Sequence, residues 1–414
     1  MSLRLLNSLG GEAADFQPLE PGKVGMYHCG PTVKAPAHIG KFRSFLLADL
    51  LRRHLERSGF EVRQVMNITD VGHLNEFDED IVEMAAARSG LYAWELVEEE
   101  EKKFHEERRA LRILDAHEYP HARDHVGEMI DLVRDLEAKG VCYTAGGNVY
   151  LDISGFSGFG KLSGKSLAEL TELQKSSRAA AAPRKRHPLD IDLWRTDALH
   201  QMLWDSPWGK GFPGWHVECA AMSRKYLGGS FDIHTGTDDI LFPHHECEIA
   251  QVETLTGKPL ASCWLHTGPI QVDGQPMLRQ NANVVTVREL LDSGIPGVVV
   301  RVALLGTHYR ESLDFGEAPL EWAQRSVAAV RAFHAHLEEA AKTAGPAAGE
   351  PPAAWITETD ARFQEALDRD LDYPAALEAI LEAQDRLEPE DIGNPRPARE
   401  AVESWDRVLG ILEE

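Results

Sequence analysis

The sequence predicts an α/β fold in which a parallel sheet is followed by a C-terminal α-helical region. A strand, helix, strand order over 22–71 is the first observation, because such a βαβ unit is the building block of a parallel sheet. Strand and helix signals return over 189–300, and from about 316 the chain reads as helical. A chain of 414 residues has room for roughly two or three domains.

Three consecutive segments make up the βαβ unit. Residues 22–29, GKVGMYHC, alternate in polarity and predict a strand, and the Gly/Pro-rich GPTVKAPAHIG predicts a loop. Residues 42–59 have apolar residues at helical spacing and end at a glycine, which predicts a helix. Residues 61–71 predict the next strand.

The pattern then changes several times along the chain. Charged stretches at 79–112 and 121–140 predict helices, and 141–176 predict a small insertion of strands and loops. Residues 176–188 are Ala-rich and basic, which is typical of a mobile loop. An Ala/Gly/Pro stretch at 340–354 predicts a linker, and the chain beyond it predicts two or three helices.

Composition and charge argue against several classes of protein. A net charge of −24 repels nucleic acid in bulk, although the triplet Arg184-Lys185-Arg186 could still meet RNA or phosphates; a solvated linker is the simpler interpretation. Five cysteines in a chain of this length argue against a disulfide framework. The sequence lacks a run of about 18 apolar residues and a signal peptide, which predicts a cytoplasmic protein without membrane contact.

The segment CGPTVKAPAHIGK, 29–41, opens the first predicted helix. Backbone amides at a helix N-terminus suit phosphate, and His38 could donate to a phosphate oxygen. Gly40 would let a flat base approach the backbone. A βα loop with a capping histidine explains the same segment equally simply.

The segment FPHHECEIAQ, 242–251, carries metal-ligand spacing. On a helix His244 and Glu248 share one face, and with Cys29 and Cys219 they would make a zinc set. Spacing alone does not bring the two cysteines together, so two buried thiols and a charged surface helix are the alternative. The neighbours that we expect to point around the other side of this helix are His245, Glu246 and Cys247.

The segment FDIHTGTDD, 231–239, joins an apolar strand entry, a small Gly/Thr turn and two acids. This order is typical of a ligand-facing strand end, although a plain turn is as consistent with it.

Together these segments resemble the cysteinyl-tRNA synthetase family of class I aminoacyl-tRNA synthetases. YHCGPTVKAPAHIGK resembles the first signature loop. Further segments resemble family segments in family order: VMNITDVGHL, PLDIDLWR, WDSPWGKGFPGWHVECAAMS, FDIH, FPHHECEIAQ, WLHTG and GTHYRESLDF. The similarity covers 20–335, with a weaker echo at 366–380, and it implies a Rossmann-like parallel sheet with an inserted connective region.

The resemblance also implies a division of the chain into five parts. Residues 20–110 and 186–300 would form the two halves of the catalytic domain, the second carrying the zinc site, and 111–185 the connective insertion. Residues 301–345 would form a helical region like the one that contacts the tRNA stem. Residues 346–414 would be a linker and a short helical domain, without a full anticodon-binding domain.

The amino-acid side of the family site is matched completely. The resemblance implies that one Zn²⁺ is held by Cys29, Cys219, His244 and Glu248. In the family the zinc binds the sulfur of the substrate, and its preference for thiolate over hydroxyl selects cysteine over serine without editing. The positions that match the lining of the amino-acid pocket are Thr32, Trp215 and His234.

The nucleotide side departs from the family pattern. The first signature is His-Ile-Gly-His, and here Lys41 takes the last place, where a flexible cation could meet a phosphate. The turn after the FDIH segment is normally Gly-rich; Gly236 and Asp239 remain, whereas Thr235 and Thr237 replace two glycines and are expected to crowd a ribose.

The largest departure is at 276–283, where the family reads Lys-Met-Ser-Lys-Ser. Both lysines are lost; Met277 remains, and Arg279 stands at the second lysine. The loop's cations stabilise the charge that adenylation places on phosphate, and an arginine binds phosphate with a different geometry. Pro276 is expected to stiffen a loop that moves.

These features predict an enzyme that uses ATP with Mg²⁺ to convert L-cysteine to cysteinyl-adenylate and passes the cysteine to an unknown amine or hydroxyl. The expected catalytic residues are His38, Lys41 and Arg279. The residues expected at the nucleotide are Gly40, Gly236, Asp239 and Met277.

The identity of the acceptor separates the alternatives. Bacterial members of the family usually continue past a segment like WDRVLGILEE into a domain that reads the anticodon, and the sequence stops there, so a non-tRNA acceptor is expected. The plan resembles the mycothiol-pathway cysteine ligase, although that ligase keeps the lysine loop. The alternatives are an ordinary cysteine–tRNA ligase with divergent motifs and a cysteine-binding or regulatory protein that has lost catalysis.

Overall fold

The computed structural model describes residues 2–72, 80–177, 184–196, 200–343, 352–387 and 394–412. Two predicted features fall largely on other residues. The Ala-rich part of the predicted basic loop, 178–183, and most of the predicted linker, 344–351, lie outside the described residues. The predicted five-part division of the chain stays a prediction.

A parallel four-stranded sheet lies at the centre of the fold. An antiparallel hairpin of β1 (Arg4–Asn7) and β2 (Glu12–Asp15) precedes it. The predicted βαβ unit is confirmed as β3 (Lys23–His28), α1 (Ile39–Arg57) and β4 (Glu61–Met66), with Lys23 opposite Glu61 and His28 opposite Met66. Helix α1 begins at Ile39, earlier than predicted, because His38 caps it.

An insertion of helices and a second sheet follows. It comprises α2 (Ile81–Ser89), α3 (Ala93–Ala110), α4 (Val126–Ala138), β5 (Cys142–Ala145), β6 (Asn148–Leu151), α5 (Leu167–Ser177), β7 (Ile191–Arg195) and β8 (Phe212–Pro213). The last four strands pair antiparallel in the order β5-β6-β7-β8. The single helical stretch predicted over 79–112 is two helices, because Gly90 ends α2 in the left-handed region at φ 72°.

The next segment of the chain completes the central sheet. Its elements are α6 (Trp215–Leu227), β9 (Phe231–Thr237), α7 (Asp238–Ile240), α8 (Glu246–Thr256) and β10 (Ala261–Thr267). The strand order is β10-β9-β3-β4, all parallel. After it come β11 (Ile270–Val272), β12 (Gln275–Pro276), α9 (Val287–Asp292), α10 (Gly297–Leu305) and β13 (Leu313–Phe315), with a small sheet in the order β12-β11-β13.

The described C-terminal elements are helices, as predicted: α11 (Glu317–Thr343), α12 (Ala354–Asp368), α13 (Tyr373–Arg386) and α14 (Pro395–Leu409). They pack on α1 and α10 in one apolar core on one face of the central sheet, which Met26 enters. The neighbouring Tyr27 enters a second core with α4, α6 and α8, because successive strand residues point to opposite faces.

Two buried arginines connect α14, the last described helix, to α1. Arg301 of α10 is fully buried, lies 2.7 Å from Asp49 of α1 and donates to the carbonyl oxygen of Leu409 at 2.7 Å. Arg53 of α1 donates to the carbonyl oxygen of Arg407 at 2.8 Å. These donors satisfy carbonyls at the C-terminal end of α14, where a helix has no partners of its own. None of the described helices is apolar over a long enough stretch to cross a membrane.

Candidate active site

Four side chains from three distant parts of the sequence meet at one buried point. Cys29 follows β3, Cys219 lies on α6, and His244 and Glu248 lie before and on α8; their ligand atoms are all within 4.8 Å of one another. The Cys29 sulfur is 3.9 Å from the Cys219 sulfur and 3.8 Å from Glu248 Oε1. Parallel strands and the helices packed on them thus bring together the four predicted ligands.

The chain turn after Cys29 is held by close packing against the end of β4. A Cβ on Gly30 would lie 1.7 Å from the carbonyl oxygen of Asn67, so only glycine fits there. The Gly30 amide donates to Asn67 Oδ1 at 3.0 Å. This contact fixes the direction in which the Cys29 side chain leaves the strand.

The chemistry of this donor set fits a zinc ion. Two sulfurs, one imidazole and one carboxylate are ligands that Zn²⁺ takes with tetrahedral geometry. Burial lowers the pKa of His244 to about 3, so its ring is neutral, the form that binds metal. Burial, then the hydrogen bond and charge of Cys219 and the charge of Glu248, raise the pKa of Cys29 well above its ordinary value. A divalent cation would offset this accumulation of negative charge.

A second set of donors shares the same centre. Cys29, His234, His245 and Glu248 also have ligand atoms within 4.8 Å of one another. His245 Nε2 lies 3.4 Å from the Cys29 sulfur, so the prediction that His245 points to the other side of the helix is wrong. The cause is helical spacing: His245 and Glu248 lie three positions apart, and residues at i and i+3 face the same side of a helix. The kink at Phe242, with φ −128° and ψ 132°, lies before both histidines.

Helix α8 is buried, which contradicts the alternative interpretation of this segment as a charged surface helix. Its residues from Glu246 to Val252 are buried. Glu246 turns away from the donors, as predicted, and accepts from the amides of Gly160 and Ser163 in the insertion. The acidic side chain therefore ties the insertion to the helix that carries the ligands.

Two of the three predicted amino-acid pocket residues contact the donors directly. His234 Nε2 lies 3.0 Å from Glu248 Oε2, and the Trp215 ring stacks on His244 with centroids 4.5 Å apart. Thr32 pairs with Thr69 in a parallel bridge just beyond the ends of β3 and β4. Thr32 thus lies beyond the carboxyl end of β3, where ligands of parallel sheets bind, while His234 lies within β9 and Trp215 begins α6.

Sequence reasoning missed several histidines around the donors. His216 Nδ1 is 2.9 Å from His244 Nδ1, and His245 Nδ1 is 2.8 Å from His266 Nε2. A partner on the second ring nitrogen orients a metal-binding imidazole. The signal was present in the sequence, since His216 adjoins Trp215 and His266 lies in the WLHTG segment, but only the fold brings these rings together.

The start of α1 shows the capping histidine that the sequence left open, and phosphate binding there stays a prediction. His38 is the N-cap of the helix, and its Nδ1 accepts from the Lys41 amide at 3.3 Å. A Cβ on Gly40 would lie 3.0 Å from His38 Nδ1 and 3.4 Å from Met277 Cε. The capping interpretation is therefore confirmed, and Met277 of the altered loop lies against the helix start.

The end of strand β9 needs its glycine. A Cβ on Gly236 would lie 2.6 Å from Ile240 Cδ1 and 2.8 Å from His245 Cε1. The expectation that Thr235 crowds a ribose is wrong, because its hydroxyl is fully buried against His28 on the α1 side of the sheet. The Oγ1 of Thr237 lies 3.2 Å from the Nζ of Lys41.

The altered loop is closed by its own asparagines. The side-chain amides of Asn281 and Asn283 donate to the carbonyl oxygen of Pro276 at 2.8 and 3.0 Å, and Asn283 Oδ1 accepts from the Leu278 amide at 3.0 Å. Arg279 begins a short 3₁₀ turn here. Its side chain is outside the described structure, so its contact with phosphate stays a prediction.

The basic triplet is paired within the protein. Lys185 Nζ is 2.5 Å from Asp192 Oδ2, and the Arg186 guanidinium lies 4.1 Å from the centroid of the Tyr143 ring. Arg184 donates to the carbonyl oxygen of Gly146 at 3.4 Å. The prediction of a solvated linker is wrong for Lys185, whose side chain is only 7% exposed, whereas Arg184 and Arg186 are exposed as predicted.

One comparison decides the family. The family model described as the tRNA synthetases class I (C) catalytic domain matches residues 15–325. The chain belongs to this family. Relatives named cysteine–tRNA ligase are similar to this class I (C) synthetase over almost its whole length. The one from Heliobacterium modesticaldum is 40% identical and the one from Thermus thermophilus 39%, and the alignments cover 99% and 100% of this chain and 87% of each relative.

Solved structures of class I synthetases share the fold of this family member. LeuRS from Agrobacterium radiobacter K84, in a ternary complex with tRNA and LeuAMS, matches with a TM-score of 0.68 at 11% identity, over 96% of this chain and 84% of that one. Methionyl-tRNA synthetase from Mycobacterium tuberculosis, in complex with methionyl-adenylate, matches with a TM-score of 0.62 at 14% identity, over 94% and 90%. The predicted class I fold and family are confirmed.

Proposed function

We propose that this class I (C) synthetase is an ATP-dependent cysteine ligase that activates cysteine at a zinc centre. The observation that carries the proposal is the buried set of two cysteines, one histidine and one glutamate with ligand atoms within 4.8 Å. The relatives named cysteine–tRNA ligase support the choice of amino acid. The fold supports the use of ATP, which would enter with Mg²⁺.

The zinc would be held by Cys29, Cys219, His244 and Glu248. Bound there, it would supply a Lewis acid that prefers the thiolate of cysteine to the hydroxyl of serine. His216 orients the His244 ring, and His234 holds the second oxygen of Glu248. Trp215 packs over His244 and limits the room beside the substrate side chain.

Adenylation needs no nucleophile from the protein. The cysteine carboxylate attacks the α-phosphorus of ATP, a C–O–P anhydride bond forms, and the bond to pyrophosphate breaks. His38, Lys41 and Arg279 are the donors and cations proposed to stabilise the developing charge, and Gly40, Gly236, Asp239 and Met277 would surround the nucleotide. The acceptor then attacks the carbonyl carbon, and AMP leaves.

Two acceptors are candidates. The names of the relatives favour tRNA and give no support to the expected non-tRNA acceptor. The net charge of −24 and the internal pairing of Lys185 favour an acceptor other than a nucleic acid. Transfer of radiolabelled cysteine from protein incubated with ATP, to tRNA in one reaction and to amino-sugars in another, separates them.

The test of activation is cysteine-dependent exchange between ATP and pyrophosphate, on protein whose zinc content has been assayed. Exchange with cysteine and not with serine supports the proposal. Zinc-loaded protein that binds cysteine but exchanges nothing, with or without tRNA and amino-sugars, contradicts it. That outcome would favour the alternative of a cysteine-binding or regulatory protein.

A further inference from the structure

Two residues at which the sequence departs from the family pattern touch each other. Lys41 is the third residue of α1 and Thr237 is the last residue of β9, 196 positions later. The Lys41 ammonium lies 3.2 Å from the Thr237 hydroxyl. A glycine at position 237, as in the family pattern, could not make this contact.

A carboxylate extends this contact into a chain of three polar groups. Asp239 accepts a hydrogen bond from the Thr237 side chain. Neighbouring protein atoms partly desolvate Asp239, which works to raise its pKa, but the charge of Lys41, the Thr237 hydrogen bond and the charge of His38 outweigh this and lower the pKa of Asp239. The side chain of Asp239 is still exposed. The ammonium, hydroxyl and carboxylate therefore lie in a row at the open edge of the site.

This row does not stabilise the helix from which it starts. A cation in the first turn opposes the helix macrodipole, and the first turn of α1 contains no acidic residue. Holding a long lysine side chain in one place also costs conformational freedom. The arrangement makes physical sense if the ammonium is kept in position for an anion.

We propose that Thr237 is a positioning residue that holds Lys41 for a nucleotide phosphate. A phosphate-binding cation of this protein then belongs to helix α1, in addition to Arg279 of the loop at 276–283, which has lost both lysines of the family pattern. The proposal rests on the proposed function, because it concerns the nucleotide of the same reaction.

The structure of the loop at 276–283 is consistent with phosphate binding by Lys41. Its asparagines close it on Pro276, and Met277 reaches the helix start at Gly40. The loop therefore covers the helix start with an apolar side chain, while the hydroxyl of Thr237 and the ammonium of Lys41 remain at the edge beside Asp239.

Substitutions of Thr237 that separate shape from hydrogen bonding test the proposal. Thr237→Val keeps the shape and removes the hydroxyl, and it should raise KM for ATP in cysteine-dependent exchange about tenfold, the effect of one hydrogen bond to a charged group. Thr237→Ser keeps the hydroxyl and should stay near the parent value. Lys41→Met should lower kcat/KM about a hundredfold, and Lys258→Met, at an exposed lysine, is the matched control.

Two further measurements keep the outcomes distinct. Cysteine binding and the melting temperature should be the same in Thr237→Val as in the parent protein, since neither depends on the hydroxyl in this proposal. If KM for ATP is unchanged in Thr237→Val, or if Thr237→Ser is as impaired as Thr237→Val, the proposal is overturned.

A failure of the proposed function gives a different result. In that case the parent protein shows no exchange, and the binding of a non-hydrolysable ATP analogue is measured directly. Weaker binding by Thr237→Val and Lys41→Met would still support the positioning role. Equal binding by both variants and the parent protein would overturn it.

Discussion

The four donors of the buried cluster come from three segments of the chain, and we expect that removing one thiol releases the metal. Cys219→Ala takes one sulfur from a set whose remaining proposed ligands are buried, and we expect zinc content and cysteine binding to be lost together. Metal analysis of the purified variant and calorimetry with cysteine measure both. Cys142→Ala, at a half-buried cysteine of the insertion, should retain both. Stoichiometric zinc in Cys219→Ala would show that the ligand assignment is wrong.

His216 should affect the metal without binding it. Its ring nitrogen lies 2.9 Å from that of His244, and we expect this contact to orient the proposed ligand. Loss of such a partner typically lowers metal affinity by about 10- to 100-fold, and we expect this range for His216→Ala in competition with a chelator. His334→Ala, which removes a surface contact with Glu403, is the control. An unchanged affinity in His216→Ala would remove His216 from the site.

For single residues, the sequence predicts which side chains form the site better than it predicts the direction in which each side chain points. Cys29 and Glu248 were found from residue type and resemblance, and the structure brings them together. The direction of His245 was missed because its i,i+3 spacing to Glu248 was overlooked in favour of the i,i+4 pair His244 and Glu248. The direction of Thr235 was missed because only the register of β9 shows that its side chain faces α1.

At the scale of elements, helix α1 is held in place by a buried arginine. Arg43 donates to the carbonyl oxygens of Gly268, Thr307, His308 and Glu311 at 2.8 to 3.2 Å. Arg43→Met would leave these oxygens without their donor, so we expect a loss of about 3 kcal/mol in the free energy of unfolding. Urea denaturation measures it. Arg63→Met, at an exposed ion pair 4.0 Å long, should change stability by less than about 1 kcal/mol.

A histidine links the segment before β8 to helix α2, and this contact should make stability depend on pH. Burial works to lower the pKa of His200, but hydrogen bonds and charges from Asp80 and Glu83 outweigh it and raise the pKa to about 9. Its folded pKa therefore exceeds its unfolded value of about 6.5. The stabilisation is complete below about pH 6.5 and is lost as the pH rises through about 9.

The comparison of wild type with His200→Gln isolates this contribution. Unfolding free energies from urea titrations at pH 6 and pH 9.5 should differ more in the wild type than in the variant. Equal pH dependence in the two proteins would mean that the charge of His200 does not contribute. Predicting this contact from sequence was not feasible, because Asp80 and His200 are 120 positions apart and belong to different elements.

Element type was easier to predict than element boundaries. The βαβ unit and the C-terminal helices follow from apolar spacing, which burial on a sheet or a helix enforces. The start of α1 and the break at Gly90 depend on a cap and a left-handed residue, which are single-residue effects that spacing does not report. The antiparallel sheet of the insertion joins strands separated by about 40 residues, and no local pattern reports such a pairing.

At the scale of the whole molecule, the C-terminal helices and the central sheet should unfold together. Their side chains form one apolar core, and the fully buried Arg301 joins α10 to α1 and α14. Arg301→Met leaves Asp49 without one of its two arginine partners, and breaking a buried pair typically costs about 3–5 kcal/mol. Circular dichroism and tryptophan fluorescence should report a single, earlier transition; two separate transitions would contradict a shared core.

The attachment of α14 to α1 has a practical consequence for dissecting the protein. Helix α1 carries His38 at one end and contacts α14 further along, so the C-terminal helices are not a detachable module. A fragment ending near residue 343 would expose apolar side chains of α1 and α10 to water, and such a surface favours aggregation. Expression screens, fusion tags and split-protein reporters should therefore keep α14 and its carbonyl contacts intact.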